Sequence, residues 1–413
     1  MKRSRIIALS LCAALLAGGL GFGAYWFLRA EKPGTPTTYP HVFVHGLGGF
    51  GDDAGLPVSY WGSTAGALLP ELEKEGFTCF APSVDPVRSA WDRACELYAQ
   101  LVGAQVDYGI AHSEQYNHER FGQTYDAPLF PDWGMEDADG NLRRVNLIGH
   151  SFGGATVRLL CALLENGSHA EMDAAALAGE TCSGLFTGGR GDWVFSLTCL
   201  AAPHNGTSLL SMVDANTILS SAAGWLGNLG IGGFSIDDAL AAVGFSVGGM
   251  KIGEVLRAAK TMDTAYYDLS LAGAKEVNAQ ISLYRGIYYF SYPIDGTNNG
   301  VPTNEMTLKL RIPAYLIGRF TSPEEGINDK WKPNDGLVNT ISATAPFGDP
   351  SIIVTDPAGL TPDTLVPATW YVMPTVRGDH GTIIGLERTM EQTLPLYLEQ
   401  MQRIDELSRG ITG

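Results

Sequence analysis

The sequence predicts an α/β fold, a mostly parallel central sheet flanked by helices, and three observations predict it. A buried strand pattern, Val145-Asn146-Leu147-Ile148, runs through Gly149-His150-Ser151-Phe152-Gly153 into apolar helical spacing from Ala155 to Leu164. An earlier strand pattern, His41 to His45, ends in a glycine turn, Gly46-Leu47-Gly48-Gly49. Downstream, Asp335 and then His380 fall in polar, glycine-bounded loops at the ends of apolar segments. Strand, G-x-S-x-G, helix and the chain order serine, acid, histidine together describe an α/β-hydrolase.

The first element is the serine turn. Glycines on both sides allow a sharp backbone turn, so Ser151 Oγ is expected to stand above the sheet as a nucleophile. A bare G-x-S-x-G also arises as an ordinary helix N-cap; the strand before it and the helix after it favour the nucleophile. In such a fold the oxyanion hole takes one backbone N–H from the residue after His-Gly and one from the residue after the serine. Those residues are Leu47 and Phe152.

In chain order, the first forty residues lie outside the expected fold. Lys2, Arg3 and Arg5 precede an uncharged apolar run from Ile6 to Leu28, then Arg29 and a Pro/Thr-rich stretch to Pro40. Residues 1–30 read as a signal peptide or signal anchor and 31–40 as a linker, with the hydrolase domain over 41–413. The apolar run is long enough to cross a bilayer, which keeps a membrane-anchored form beside the secreted one. Cys12 lacks the small residue before it that a lipoprotein signal needs. Residues 1–30 hold four positive charges and no negative ones, so the remainder carries a formal charge of −21 against −17 for the whole chain. Such a surface repels nucleic acid and suits a neutral substrate outside the cell. It also simply keeps a secreted protein soluble. Five scattered cysteines remain, and Cys161 and Cys199 sit in apolar patterns as buried thiols, so no disulfide framework is expected.

Ala67 to Glu75 reads as a helix ended by Gly76, and Phe77 to Ala81 as a strand. A helix follows with Ser89 as its cap. His112 and His118 then stand six residues apart in a polar stretch read as a loop, a spacing that is weak evidence for a metal because surface histidines are common. Trp193 to Leu200 is a strand leading to His204, which has no suitable acid ahead of it and reads as structural or cleft-lining. Residues 209–262 are rich in Gly, Ala, Ser and Leu, with Trp225, Leu226, Leu229, Phe234 and Phe245 but no charge between Asp214 and Asp237. This composition fits a helical lid with an apolar underside, in preference to plain extra core or a second membrane span.

Asp263 precedes a helical stretch to Gln280, and Ile287 to Tyr292 is a strand. Met306 to Phe320 fits neither the helix nor the strand period. Asp335 stands in a polar turn and is the best acid, although a turn aspartate bonding its own backbone is the ordinary reading. Thr369 to Val376 reads as the last strand, His380 follows, and the final helix is expected over Glu387 to Leu407. His380 would deprotonate Ser151, Asp335 would orient the imidazole, and the chemistry needs no organic cofactor.

The chain resembles the large secreted zinc-containing lipases of bacilli, with the staphylococcal lipases as relatives. Tyr60-Trp61-Gly62, Trp91-Asp92-Arg93-Ala94-Cys95-Glu96, Val106-Asp107-Tyr108-Gly109, Leu163-Leu164-Glu165-Asn166-Gly167-Ser168 and Asn334-Asp335-Gly336 carry the resemblance across nearly all of the chain after residue 40. It implies the same three catalytic positions, Ser151, Asp335 and His380. It also implies a structural zinc on Asp92, His112, His118 and Asp263, in an insertion over about 85–135 that anchors the base of the lid. The family's nucleophile turn usually begins with Ala and has Gln after the serine, where this chain has Gly149 and Phe152. A phenylalanine there is expected to alter the cleft wall and the acyl-chain preference. The family's calcium carboxylates are replaced in part by Thr382, with Glu387 followed by Arg388, so calcium is doubtful.

The expected activity is hydrolysis of carboxylic esters, triacylglycerols foremost, with transient contact at a lipid interface. A carboxylesterase for short soluble esters is the alternative, and a surface-anchored, non-catalytic protein of the same fold is the rival of another kind.

Overall fold

The computed structural model describes residues 39–138, 140–212 and 262–412. The leader, and nearly all of the stretch expected as a lid, lie outside the described residues.

Seven strands form the central sheet: β1 (His41–Val44), β2 (Cys79–Phe80), β3 (Val145–His150), β4 (Val194–Leu200), β5 (Tyr288–Tyr292), β6 (Ser351–Ile353) and β7 (Trp370–Val372). Their spatial order is β6-β7-β5-β4-β3-β1-β2, and every neighbouring pair is parallel. A parallel sheet is covered on both faces, so its strands are apolar almost throughout. In β1 the side chains alternate between the two cores: Val42 and Val44 enter one, Phe43 the other.

Helices α1 (Leu68–Lys74), α2 (Ala90–Val102), α3 (Ile110–Tyr116), α4 (Gly153–Asn166) and α5 (His169–Ala178) come first in the chain. They are followed by α6 (Ala265–Leu269), α7 (Leu271–Ala279), α8 (Leu308–Arg319) and α9 (Met390–Thr412). Leu97, Leu101, Leu160 and Leu164 of α2 and α4 fill the first core; Leu68 and Leu72 of α1 and Tyr397, Met401 and Ile404 of α9 fill the second. The side chain of Ser89 caps α2 by accepting the Asp92 N–H at 3.3 Å.

The structure departs from the sequence expectations in four places. Met306 to Phe320 resolves as helix α8, whose period is blurred because apolar residues lie on several faces: Ala314 and Ile317 are buried while Leu308 and Ile312 face solvent. Its Pro313 removes one helical N–H as well. The final helix begins at Met390 and not at Glu387, which adopts φ +54°. The last sheet strand is only Trp370–Val372; Val376–Arg377 leaves the sheet and pairs with Ile294–Asp295. His112 stands on helix α3, with Asn117 in the left-handed region ending that helix just before His118.

Candidate active site

Ser151 sits at the carboxyl end of β3 with φ +54°, a conformation that costs a non-glycine residue energy and is held by its surroundings. Two glycines make the turn possible by letting backbones touch. A Cβ on Gly153 would lie 2.2 Å from the Val44 carbonyl oxygen, and one on Gly46 would lie 2.8 Å from Ser151 Cβ. The close approach brings the turn after β1 against the start of α4.

The structure brings Ser151, His380 and Asp335 together. Ser151 Oγ is 2.8 Å from His380 Nε2, and His380 Nδ1 is 2.7 Å from Asp335 Oδ2. All three are buried. The other Asp335 oxygen accepts the N–H groups of Leu337 and Val338 at 2.9 and 2.7 Å, so the carboxylate closes its own turn with one oxygen and faces the imidazole with the other. The backbone carbonyl of Asp335 also accepts the His380 N–H at 2.9 Å.

Leu47 and Phe152 flank this serine. Around Leu47 the turn is tied down on both sides. The Gly46 N–H donates to Tyr60 Oη at 2.9 Å, the Gly48 N–H to the Pro86 carbonyl at 2.9 Å, and the Gly49 N–H to the Gly46 carbonyl at 3.1 Å. Among the described residues the N–H groups of Leu47 and Phe152 themselves have no hydrogen-bond partner. The Phe152 ring is fully buried in the first core and is absent from the cavity wall, contrary to the expectation that it reshapes the cleft.

A cavity opens over Ser151 and His380. Its wall is six leucines (Leu47, Leu209, Leu210, Leu269, Leu310 and Leu337) with Val338, Thr207, Tyr60, His150 and Gly381. His204 lies outside it, buried with its ring centroid 4.7 Å from that of Trp370.

Sequence reasoning passed over Tyr60 and His150. Tyr60 Oη is 2.5 Å from His150 Nδ1, and His150 Nε2 is 3.1 Å from the carbonyl of His380. Burial, and then the neighbouring His380, hold His150 well below the usual histidine pKa, so it is neutral. With Nε2–H donating to the His380 carbonyl, Nδ1 accepts from Tyr60, whose oxygen accepts from Gly46. One relay thus links the turn after β1 to the His380 loop. Its only local signal was a histidine inside the serine motif.

Asp92, His112, His118 and Asp263 converge from three stretches of the chain, with one potential ligand atom from each lying within 4.8 Å of all the others. His112 Nε2 is 3.1 Å from Asp92 Oδ1 and 3.2 Å from Asp263 Oδ1; His118 Nε2 is 4.0 Å from Asp92 Oδ1 and 3.4 Å from Asp263 Oδ2. A tetrahedron with zinc-ligand arms has edges of about 3.3 Å, which these spacings approach. His118 Nε2 is buried without a hydrogen-bond partner among the described residues, as an open ligand atom would be. Outer contacts orient the ligands. His118 Nδ1 pairs with the Glu119 carbonyl at 2.8 Å, Arg88 holds Asp92 Oδ2 at 2.6 Å, and Trp91 stacks on the His112 ring at 5.0 Å. Burial would lower the His112 pKa, but hydrogen bonds to Asp263 and Asp92 outweigh it and push it up to about 9. The donor set can hold a metal ion.

A parallel sheet with helices on both faces, and a serine on a left-handed turn between a central strand and its helix, make this an α/β-hydrolase fold. The comparisons narrow it further. The chain belongs to the lipase-like, C-terminal domain family, whose model matches residues 37–394. It is 37% identical over 369 residues to a lipase of Staphylococcus hyicus, covering 84% of this chain and 53% of that one. It is 34% identical to lipase 2 of Staphylococcus aureus, covering 94% and 54%. The chain therefore spans about half the length of the curated relatives it matches. Among solved structures, lipase 1 from Pelosinus fermentans superposes with a TM-score of 0.74 at 33% identity, covering 90% of this chain and 99% of that one.

Proposed function

We propose that this chain is a serine-dependent lipase that hydrolyses carboxylic esters, triacylglycerols foremost, through an acyl-enzyme on Ser151. The observation that carries the reading is the 2.8 Å contact of Ser151 Oγ with His380 Nε2 beneath a wall of leucines. His380 Nε2 takes the proton from Ser151 Oγ as the oxygen attacks the ester carbonyl. Asp335 keeps Nδ1 protonated and stabilises the imidazolium. The free N–H groups of Leu47 and Phe152 hold the oxyanion. The tetrahedral species collapses, the alcohol leaves with the proton from His380, and the acyl group stays on Ser151. Water, deprotonated by His380, then attacks the acyl carbonyl and releases the carboxylic acid.

Asp92, His112, His118 and Asp263 would hold a structural zinc. Holding an ion in common, these four side chains would tie α2, α3 and the stretch entering α6 together, a structural role apart from the ester chemistry at Ser151. Residues 1–30 serve as an export signal or anchor, 41–413 form the hydrolase domain, about 85–135 the metal-bearing insertion, and 209–262 a lid that meets a lipid interface. The enzyme then works outside the cell. A carboxylesterase for short esters is the second reading, favoured by the polar side chains of Tyr60 and Thr207 in the cavity lining.

The test is hydrolysis of p-nitrophenyl esters from acetate to palmitate, and of emulsified triglyceride, by the leaderless wild type and Ser151→Ala. Activity on long chains and emulsion that vanishes in Ser151→Ala supports the lipase. Activity on short esters alone selects the esterase, and equal activity in both proteins refutes the mechanism.

A further inference from the structure

Arg93 follows the cluster residue Asp92 on α2 and is 0% exposed. Its surroundings give it little stabilisation. Nη2 donates to the carbonyl of His45 at 2.5 Å, while Nε and Nη1 have no hydrogen-bond partner among the described residues, and no carboxylate there forms an ion pair with it. A buried guanidinium with two unmatched nitrogens is costly, and an apolar residue of the same volume would commonly be as stable or more so. A gain in stability does not account for it.

What Arg93 touches does. The His45 carbonyl lies two residues before Leu47, and the guanidinium carbon lies 4.9 Å from the centroid of the Phe152 ring. One planar cation therefore grips the two segments that carry the unpartnered Leu47 and Phe152 N–H groups, one through a carbonyl and the other through a π-face. The two segments also touch directly, where Gly153 packs against the Val44 and His45 carbonyls, and the remaining restraints act on one segment each. The His45 ring braces its own turn, with Nε2 accepting the Val84 N–H at 3.2 Å and Nδ1 on the Gly46 carbonyl at 2.9 Å, while Phe152 is held by core packing and by its carbonyl, which accepts the Ala155 and Thr156 N–H groups at 3.0 and 3.2 Å.

We infer that Arg93 is a positioning residue that sets the spacing of the two oxyanion donors, Leu47 N–H and Phe152 N–H, by clamping the His45 carbonyl and the Phe152 ring at once. The inference rests on the serine-hydrolase reading above. It adds a determinant that touches no substrate and acts through the backbone. Because a donor displaced by about 1 Å loses most of its effect on the transition state, the consequence falls on turnover and not on substrate binding.

The experiment measures kcat and KM on p-nitrophenyl butyrate for wild type, Ser151→Ala, Arg93→Met and Arg93→Lys, with near-UV circular dichroism to check the fold. Arg93→Met, which keeps the stem and loses the clamp, is expected to lower kcat by about 10²-fold with KM within about twofold. Arg93→Lys, which keeps a cation and one donor, recovers part of that loss. A folded Arg93→Met with wild-type kcat or, where Arg93→Met does not fold, a folded Arg93→Lys with wild-type kcat overturns the inference while leaving the nucleophile reading intact. Should Arg93→Met fail to fold, a folded Arg93→Lys with reduced kcat and unchanged KM supports the inference; if neither folds, Arg93 is a folding residue and the inference falls. Wild-type protein without esterase activity, or Ser151→Ala that retains it, refutes the underlying reading instead.

Discussion

Asp335 meets His380 twice: its carboxylate accepts from the imidazole Nδ1 at 2.7 Å, and its backbone carbonyl accepts the His380 N–H at 2.9 Å. The second bond fixes where the histidine loop sits, and the first fixes which tautomer it holds. Asp335→Asn can keep the turn bonds to Leu337 and Val338 through its amide oxygen while presenting an NH₂ to Nδ1, which favours the wrong tautomer. Turnover of a soluble ester is expected to fall by about 10⁴-fold with little change in thermal midpoint. A loss below about tenfold in steady-state kinetics would remove Asp335 from the role proposed here.

Gly149 begins the serine turn where the resembled lipases usually carry alanine. In this chain a Cβ there would lie 2.6 Å from the backbone carbon and oxygen of Gly153. Gly149→Ala therefore has to push the start of α4 away from β3, and it is expected to destabilise the protein by about 1–3 kcal/mol in urea denaturation. An unchanged unfolding midpoint would show that α4 has room to shift.

Metal content is checked by elemental analysis. The purified chain is expected to carry about one zinc per molecule, His118→Ala to carry much less, and chelation to lower the thermal midpoint of the wild type. Since Asp263 and Asp92 push the His112 pKa up to about 9, zinc must displace a proton, and its binding weakens as pH falls. Protein that never holds zinc, or a chelated form as stable as the untreated one, counts against a structural metal.

Glu96 is buried on α2, accepting the Tyr108 hydroxyl and the Asp85 N–H at 2.8 and 2.6 Å. Burial, and then the Asp85 charge, push its carboxyl from 4.5 to about 8. The folded state thus binds a proton that the unfolded state releases. Its contribution is full below about pH 4.5 and is lost as pH rises through about 8. Glu96→Gln reproduces the protonated carboxyl, its amide oxygen accepting the Asp85 N–H and its NH₂ donating to the Tyr108 oxygen, so it should match the wild type at pH 5. A gap in favour of Glu96→Gln should open toward pH 8.5, because only the wild type loses this contribution over the interval. Parallel thermal-stability curves for the two proteins would rule this out.

Local pattern sufficed for much of the fold. Strand, serine turn and helix at 145–164 are contiguous in sequence, so periodicity and two glycines describe them without reference to the rest of the chain. The Ser, Asp, His order could be read because in a parallel sheet each strand delivers its loop to the same edge. Where apolar residues serve more than one neighbour the pattern failed, as in α8, which has Leu310 in the cavity wall and Leu308 in solvent.

The sequence by itself determined the α/β class, the turn that carries Ser151, and the order in which acid and histidine follow it, because these depend on residues adjacent in the chain or on the one-edge rule of parallel strands. Only the tertiary structure decided how Tyr60 and His150 join the turn after β1 to the His380 loop, that Phe152 turns into the core and not the cleft, and that Arg93 spans two segments about 50 residues or more away on either side. Those relations depend on buried polar atoms finding partners across the fold, and no spacing along one strand or helix encodes which partner is within reach.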